Sequence, residues 1–194
     1  MNSLTKRREP FTYMLYLGII GSSILFLFIF LIFLKKEYSN QDIPVATPKI
    51  FWLSTATILL SSLGLFLSKS YVKAEKFSLY RLALVISFIL GILFITFQII
   101  GWQQLYQKNI TIQNHTGASF LFILSALHIV HTLGGLVALA MTVFKAFKHA
   151  SYVDSFVYNV NPPNQLRLKL VSIYWHFLDI MWLIIFLFML YHAS

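Results

Sequence analysis

Five long runs almost free of charge dominate this chain: Phe11–Leu34, Ile50–Ser68, Leu82–Leu105, Ala118–Phe144 and Leu170–Tyr191. They hold 24, 19, 24, 27 and 22 residues, each above the ~18 that mark a candidate transmembrane helix. Backbone groups in hydrocarbon have no water to bond, so a spanning run reads as a helix, which satisfies its own N–H and C=O groups. All 15 Lys and Arg and five of the six acids lie outside these runs. The sequence therefore predicts an all-α integral membrane bundle of five transmembrane helices, with residues 1–194 as a single transmembrane domain. The helices are expected at about 11–34, 50–68, 82–105, 118–144 and 170–191.

Composition agrees. Charged residues make up 11%, against ~25% in an ordinary soluble domain. Apolar types reach 58%, and the mean hydropathy is +0.76. These values exclude a disordered chain, a DNA-binding module and a soluble enzyme. A net charge of +9 would point to nucleic acid in a soluble protein. Here the basic residues sit between apolar runs and orient the chain instead, so no nucleic-acid partner is expected. The absence of cysteine removes disulfides, Cys-ligated zinc, iron–sulfur clusters and covalently attached haem c.

The basic residues also set a direction. Lys6, Arg7, Arg8, Lys69, Lys73, Lys76, Arg81, Lys145, Lys148, Arg167 and Lys169 fall on one side; Lys35, Lys36, Lys49 and Lys108 fall on the other. The excess of Lys and Arg on cytoplasmic loops places the N-terminus inside and the C-terminus outside. The first apolar run is too long for a signal peptide and is expected to stay as a helix. The longest loop, Lys145–Lys169, contains the turn signal Asn161-Pro162-Pro163-Asn164. Asn109-Ile-Thr111 and Asn114-His-Thr116 match a weak glycosylation pattern.

Ionisable groups in a span are costly and mark functional hypotheses. There are four: His128 and His131 in the fourth run, His176 and Asp179 in the fifth. Each pair has i, i+3 spacing and shares a helix face. Three readings stand: metal or haem ligation, for which the ligand set is incomplete; a proton path, too short to cross ~30 Å; and a structural polar network facing protein, which carries most of the weight. Gln98 joins that network. Asp179 and His131 lie at nearly equal depth, so His131, or His176 one turn away, is the expected partner of Asp179. Trp102, Ser22-Ser23, Ser61-Ser62 and the small-residue face of Gly134-Gly135 and Ala138 read as packing and interhelical bonding. Trp175, Trp182 and Tyr191 read as packing or interfacial aromatics. No nucleophile–base pair, phosphate loop or carboxylate pair is present, so no catalytic or metal residue is assigned.

Two segments carry a family resemblance. Ser125-Ala-Leu-His-Ile-Val-His-Thr-Leu-Gly-Gly135 resembles the T-G-x-H-x-x-H-V-x-x-G helix of cytochrome c oxidase subunit III, and Tyr174-Trp-His-Phe-Leu-Asp-Ile-Met-Trp182 resembles that family's Y-W-H-F-V-D-x-x-W closing helix. Phe97-Gln98 falls where the family carries Gln. The chain looks like the family's short, five-helix form. It departs where many members carry an acid: Ser23, Gly101 and Lys169 stand there, which removes the ground for carboxylate-based roles at those positions. The resemblance implies an accessory subunit that holds no haem, copper or other cofactor itself. It packs on the haem–copper subunit I and other oxidase subunits, and binds phospholipid. The partner subunits would carry electrons from cytochrome c to oxygen and pump protons. A bacterial inner membrane location follows from the same reading. The equivalent subunit of a quinol oxidase, a nitric oxide reductase accessory protein, a proton-coupled transporter and a b-type cytochrome ligated by His128 or His131 are the alternatives.

Overall fold

The computed structural model describes residues 9–39, 47–111, 116–149 and 151–191. The N-terminal basic residues Lys6, Arg7 and Arg8, and most of the Asn114 sequon, lie outside the described residues. Every regular element described is a helix: α1 (Glu9–Ser39), α2 (Ile50–Lys73), α3 (Phe77–Gln107), α4 (Thr116–Lys148), α5 (Tyr152–Val160) and α6 (Pro162–Tyr191). All but α5 are long and apolar enough to cross a membrane.

The long helices outrun the apolar stretches. α3 has 31 residues and α6 has 30, or roughly 45 Å at 1.5 Å per residue. Hydropathy marks the part of a helix that meets lipid; where the helix stops is decided by capping. Arg167 and Lys169, placed in a loop by hydropathy, are helical because Pro162 opens α6. Proline suits the first helical position, where its missing N–H costs nothing. The carbonyl of Asn161 accepts the N–H groups of Asn164 and Gln165.

Two tight stops end α2 and α3. Lys76 N–H bonds Tyr71 O and Glu75 N–H bonds Val72 O, with Glu75 at φ 57°. Ile110 N–H bonds Leu105 O and Asn109 N–H bonds Tyr106 O, with Asn109 at φ 56°. Both have the paired bonds of the Schellman motif, which satisfy the last carbonyls of a helix through one left-handed residue. Asparagine tolerates that conformation; glutamate does so with strain.

Helices α2, α3, α4 and α6 close a ring in which each packs on the next. The core inside is apolar and aromatic, with Phe51, Ile58, Leu84, Phe94, Leu139, Trp175 and Trp182 fully buried. Close approach depends on glycine. A Cβ on Gly91 would stand 2.9 Å from both Leu136 Cδ2 and Trp175 Cη2, and one on Gly135 would stand 3.0 Å from Leu178 Cδ1. α1 lies outside the ring, on α4 and α6. It holds on by one stripe: Phe26 against His131, Phe30 against Phe188, and Phe33 against Phe120 and Phe188. Most of its remaining side chains are exposed.

The stretch expected to be loop between the fourth and fifth spans contains α5. Its nine residues turn Ser155 and Asn159 inward and leave Val153, Phe156, Val157 and Val160 exposed. Ser155 accepts a bond from Arg81 at 3.1 Å, and Tyr152 donates to Glu75 at 2.8 Å. These contacts fix the α2–α3 turn and the α4–α6 connection at the same end of the bundle.

Candidate functional site

The polar groups inside the ring converge on α6. One face of that helix buries Trp175, Leu178, Asp179 and Trp182, a pattern of steps of three and four residues that turns a single stripe inward. Each neighbouring helix meets this stripe with small or hydroxyl residues. Trp182 Nε1 donates to Thr55 Oγ1 of α2 at 2.9 Å. His176 Nδ1 lies 2.6 Å from Ser62 Oγ, and its Nε2 lies 3.2 Å from Ser172 Oγ. Asp179 Oδ2 stands 3.6 Å from His176 Nδ1, too far for a hydrogen bond. Neither carboxylate oxygen has a hydrogen-bond partner among the described residues. His176 keeps 37% of its side chain exposed, against 6% for Asp179, so the pair reaches from the core to the outer groove between α2 and α6.

The two histidines of α4 part company. His131 turns outward to α1. Its Nδ1 is 2.8 Å from the carbonyl of Leu127, and its Nε2 is 3.1 Å from Ser22 Oγ. A carbonyl only accepts, so Nδ1 carries the proton; in the neutral ring Nε2 then accepts and Ser22 donates. Tyr174 donates to the His131 carbonyl at 3.1 Å, which ties α6 to the same turn. His128 turns inward and is fully buried between Phe94 and Trp182, with ring centroids 5.6 and 5.4 Å away. Neither of its nitrogens has a hydrogen-bond partner among the described residues. Gln98 of α3 is also fully buried; it donates to Ser54 Oγ at 2.9 Å, and its Oε1 is unpartnered.

The five expected residues therefore do not form one network: Gln98, His131 and His176 each bond separate hydroxyls, and His128 and Asp179 have no hydrogen-bond partner among the described residues. Of the two histidines expected beside Asp179, His176 stands 3.6 Å away and His131 bonds α1 instead. Hydroxyl residues, of which Ser22-Ser23 and Ser61-Ser62 are read from sequence as packing and interhelical bonding, supply most of the partners. Ser22, Ser62 and Ser172 each meet a histidine ring, Ser54 meets Gln98, Thr55 meets Trp182, and Ser61 donates to the Ser87 carbonyl of α3 at 2.8 Å. Their pairing was hidden because it depends on which helices adjoin.

The positions without the family's acids have local causes. Gly101 packs against Phe51, and a Cβ there would collide with its ring. Ser23 donates to its own helix at Ile19 O, 2.8 Å away. Lys169 lines a cleft with Lys69 and Lys73. Among the described residues, no three His, Asp or Glu side chains gather closely enough to hold a metal ion.

No family model matches the chain. Curated relatives do. One is the cytochrome bo(3) ubiquinol oxidase subunit 3 of Buchnera aphidicola subsp. Acyrthosiphon pisum, 27% identical over 179 residues, which cover 90% of this chain and 82% of the relative. The protein of the same name from Buchnera aphidicola subsp. Schizaphis graminum is 24% identical over 90% of this chain and 89% of its own length. A probable quinol oxidase subunit 3 of Staphylococcus epidermidis is 30% identical over 69% of this chain and 62% of the relative. With Trp175, Leu178, Asp179 and Trp182 of the motif forming the inward stripe of the last span, the motif and the relatives agree: the chain is a homologue of subunit III of the haem–copper oxidases.

Proposed function

We propose that the chain is the non-catalytic third subunit of a respiratory quinol oxidase of the haem–copper type. It sits in a bacterial cytoplasmic membrane with its N-terminus inside. The carrying observation is a likeness spanning 90% of the chain to relatives named as ubiquinol oxidase subunits. The sequence alone placed cytochrome c first as electron donor; the relatives' names favour the quinol.

In this reading, oxygen reduction and proton pumping belong to haem- and copper-bearing partners, with subunit I as the neighbour. The chain's own histidines fit haem ligation poorly. Both nitrogens of His131 are engaged, and the His128 ring is wedged between Phe94 and Trp182. What the residues do is hold shape: hydroxyl-to-ring bonds lock α6 to α2, and His131 locks α1 to α4.

The partner faces α1. Gly64, Gly91, Gly101 and Gly135 are all met by neighbouring side chains, whereas Gly18 and Gly21 of α1 have nothing within 4 Å among the described residues. Small residues in membrane helices mark close helix approach, and on α1 that approach is made by another chain. Phospholipid fills the remaining apolar surface.

Purification from native membranes in mild detergent tests the reading. The expected result is co-purification with haem- and copper-bearing subunits, and oxygen uptake driven by quinol. His128→Ala and His131→Ala should leave the complex's haem spectrum unchanged while weakening retention of this subunit. Oxygen uptake with cytochrome c but not quinol would overturn the donor. A chain that leaves its native membrane alone would overturn the subunit reading.

A further inference from the structure

Three polar atoms in the middle of the helix ring are buried without a hydrogen-bond partner among the described residues: Gln98 Oε1 and both ring nitrogens of His128. Both side chains are fully enclosed. They share one layer, and Trp182 is its hub. The Trp182 ring lies 5.4 Å from that of His128 and 5.2 Å from that of Phe94, and its Nε1 bonds Thr55. Gln98 stands one turn beyond Phe94 on α3 and bonds Ser54, which precedes Thr55 on α2. The seam between α3 and α4 brackets Gln98. Phe94 meets His128 on one side of it; on the other, Trp102 donates to Ser125, one turn before His128.

The donors around this pair are committed elsewhere. A hydroxyl has one proton. Ser54 and Thr55 give theirs to Phe51 O, Ser125 to Leu121 O, and Thr132 to His128 O. The indole N–H groups of Trp182 and Trp102 are likewise taken. A direct bond between Gln98 and the imidazole would serve one ring nitrogen and strand the other. The rings of Phe94 and Trp182 grip the imidazole, so it cannot swing away to another partner. Both residues belong to spanning helices, where lipid offers no hydrogen bond and an unpaired buried group is costly.

The chemistry of the three atoms selects what can join them. A partner must donate to an amide oxygen and also pair with an imidazole. An anion cannot donate. A metal ion would find two ligands where a closed site needs four, and no carboxylate in the set would balance its charge. Water meets both demands in either tautomer: it donates to Oε1, and it accepts from an N–H or donates to a bare nitrogen. Buried waters in proteins take this role, bonding groups that would otherwise be unsatisfied.

We infer that the ring binds an ordered water molecule at this layer, bridging Gln98 Oε1 and a ring nitrogen of His128 and so joining α3 to α4 through the core. The inference rests on the membrane-spanning fold and not on the oxidase reading.

The test is a cryo-EM map, at a resolution that shows ordered water, of the full chain with whatever subunits it carries. Wild type is expected to show a density peak within about 3.2 Å of both Gln98 Oε1 and a His128 ring nitrogen. Gln98→Leu and His128→Phe should each lose the peak, while Trp182 stays bonded to Thr55 and so shows that the layer is intact. The wild-type map decides the site by itself, so the result does not depend on either variant folding. No peak between the two residues in wild type overturns the inference, whether or not Gln98 and His128 touch directly. A peak that persists in either variant overturns the bridge. A peak about 2.0–2.2 Å from both atoms, the distance of a metal ligand, overturns water in favour of a cation.

Discussion

His176 and Asp179 show how a motif read as one unit separates in space. They sit one turn apart, yet His176 finds two serines and Asp179 none. The sequence argument expects Asp179→Leu to hurt more than Asp179→Asn if it leaves a buried imidazole unpaired. The structure reverses that order, because His176 keeps Ser62 and Ser172 without the carboxylate. Single polar contacts in membranes average about 0.6 kcal/mol. Asp179→Asn should therefore change stability by no more than about that amount, and Asp179→Leu should be neutral or stabilising, since it removes a buried group with unbonded oxygens. Unfolding midpoints in detergent decide it; a large loss for Leu alone would assign the carboxylate a partner. The glycines make a sharper pair. Gly91→Ala forces a Cβ against the rigid ring of Trp175 and should cost about 1–3 kcal/mol. Gly21→Ala meets open space among the described residues and should not lower the isolated chain's midpoint. The sequence showed that these groups were buried and polar; it did not show their partners, because helix order alone does not say which serine faces which ring.

Among the elements, α5 is the one that sequence reasoning missed. A nine-residue helix leaves no trace in a window scaled to membrane spans, and its apolar residues face away from the core. Its anchor to the α2–α3 turn titrates. The hydrogen bond to Glu75, with smaller contributions from partial burial and the carboxylate's charge, raises the Tyr152 phenol above its ordinary 10.0. The neutral phenol is thus the form the fold favours. The contact contributes fully below the ordinary phenol range, and its contribution is lost as pH rises through the raised value. A phenolate absorbance titration, differenced against Tyr152→Phe, should place Tyr152 above free tyrosine, and Glu75→Gln should bring it down. An unchanged titration in Glu75→Gln would show that the bond is not formed in solution. The five long helices were legible from their apolar runs. Glu75, an unusual residue for a left-handed cap, hid the stop of α2.

At the scale of the whole chain, the closed ring of four helices with α1 outside was not legible. Hydropathy ranks α1 as the most apolar span, yet it is the least enclosed, because hydropathy measures compatibility with lipid and not the amount of packing. The positive-inside argument still gives a direct expectation. The chain has no cysteine, so single cysteines report without background. Ser151→Cys is expected to label from the cytoplasmic side and Gln107→Cys from the other. Labelling of Ser151→Cys only from outside would invert the topology.

The short turn of residues 74–76 also bears on biogenesis. α2 carries Ser54, Thr55, Thr57, Ser61 and Ser68 among its buried residues and is the least apolar of the spans. Four of these hydroxyls bond backbone carbonyls of α2 itself, while Ser61 needs the Ser87 carbonyl of α3. With only three residues between them, the two helices emerge from the ribosome nearly together and reach the translocon as a hairpin. α2 alone in a reporter chain is expected to insert less completely than α2 followed by α3. Ser61→Ala should narrow that gap, and glycosylation mapping of the reporters measures it. Equal insertion with and without α3 would show that α2 commits to the bilayer on its own.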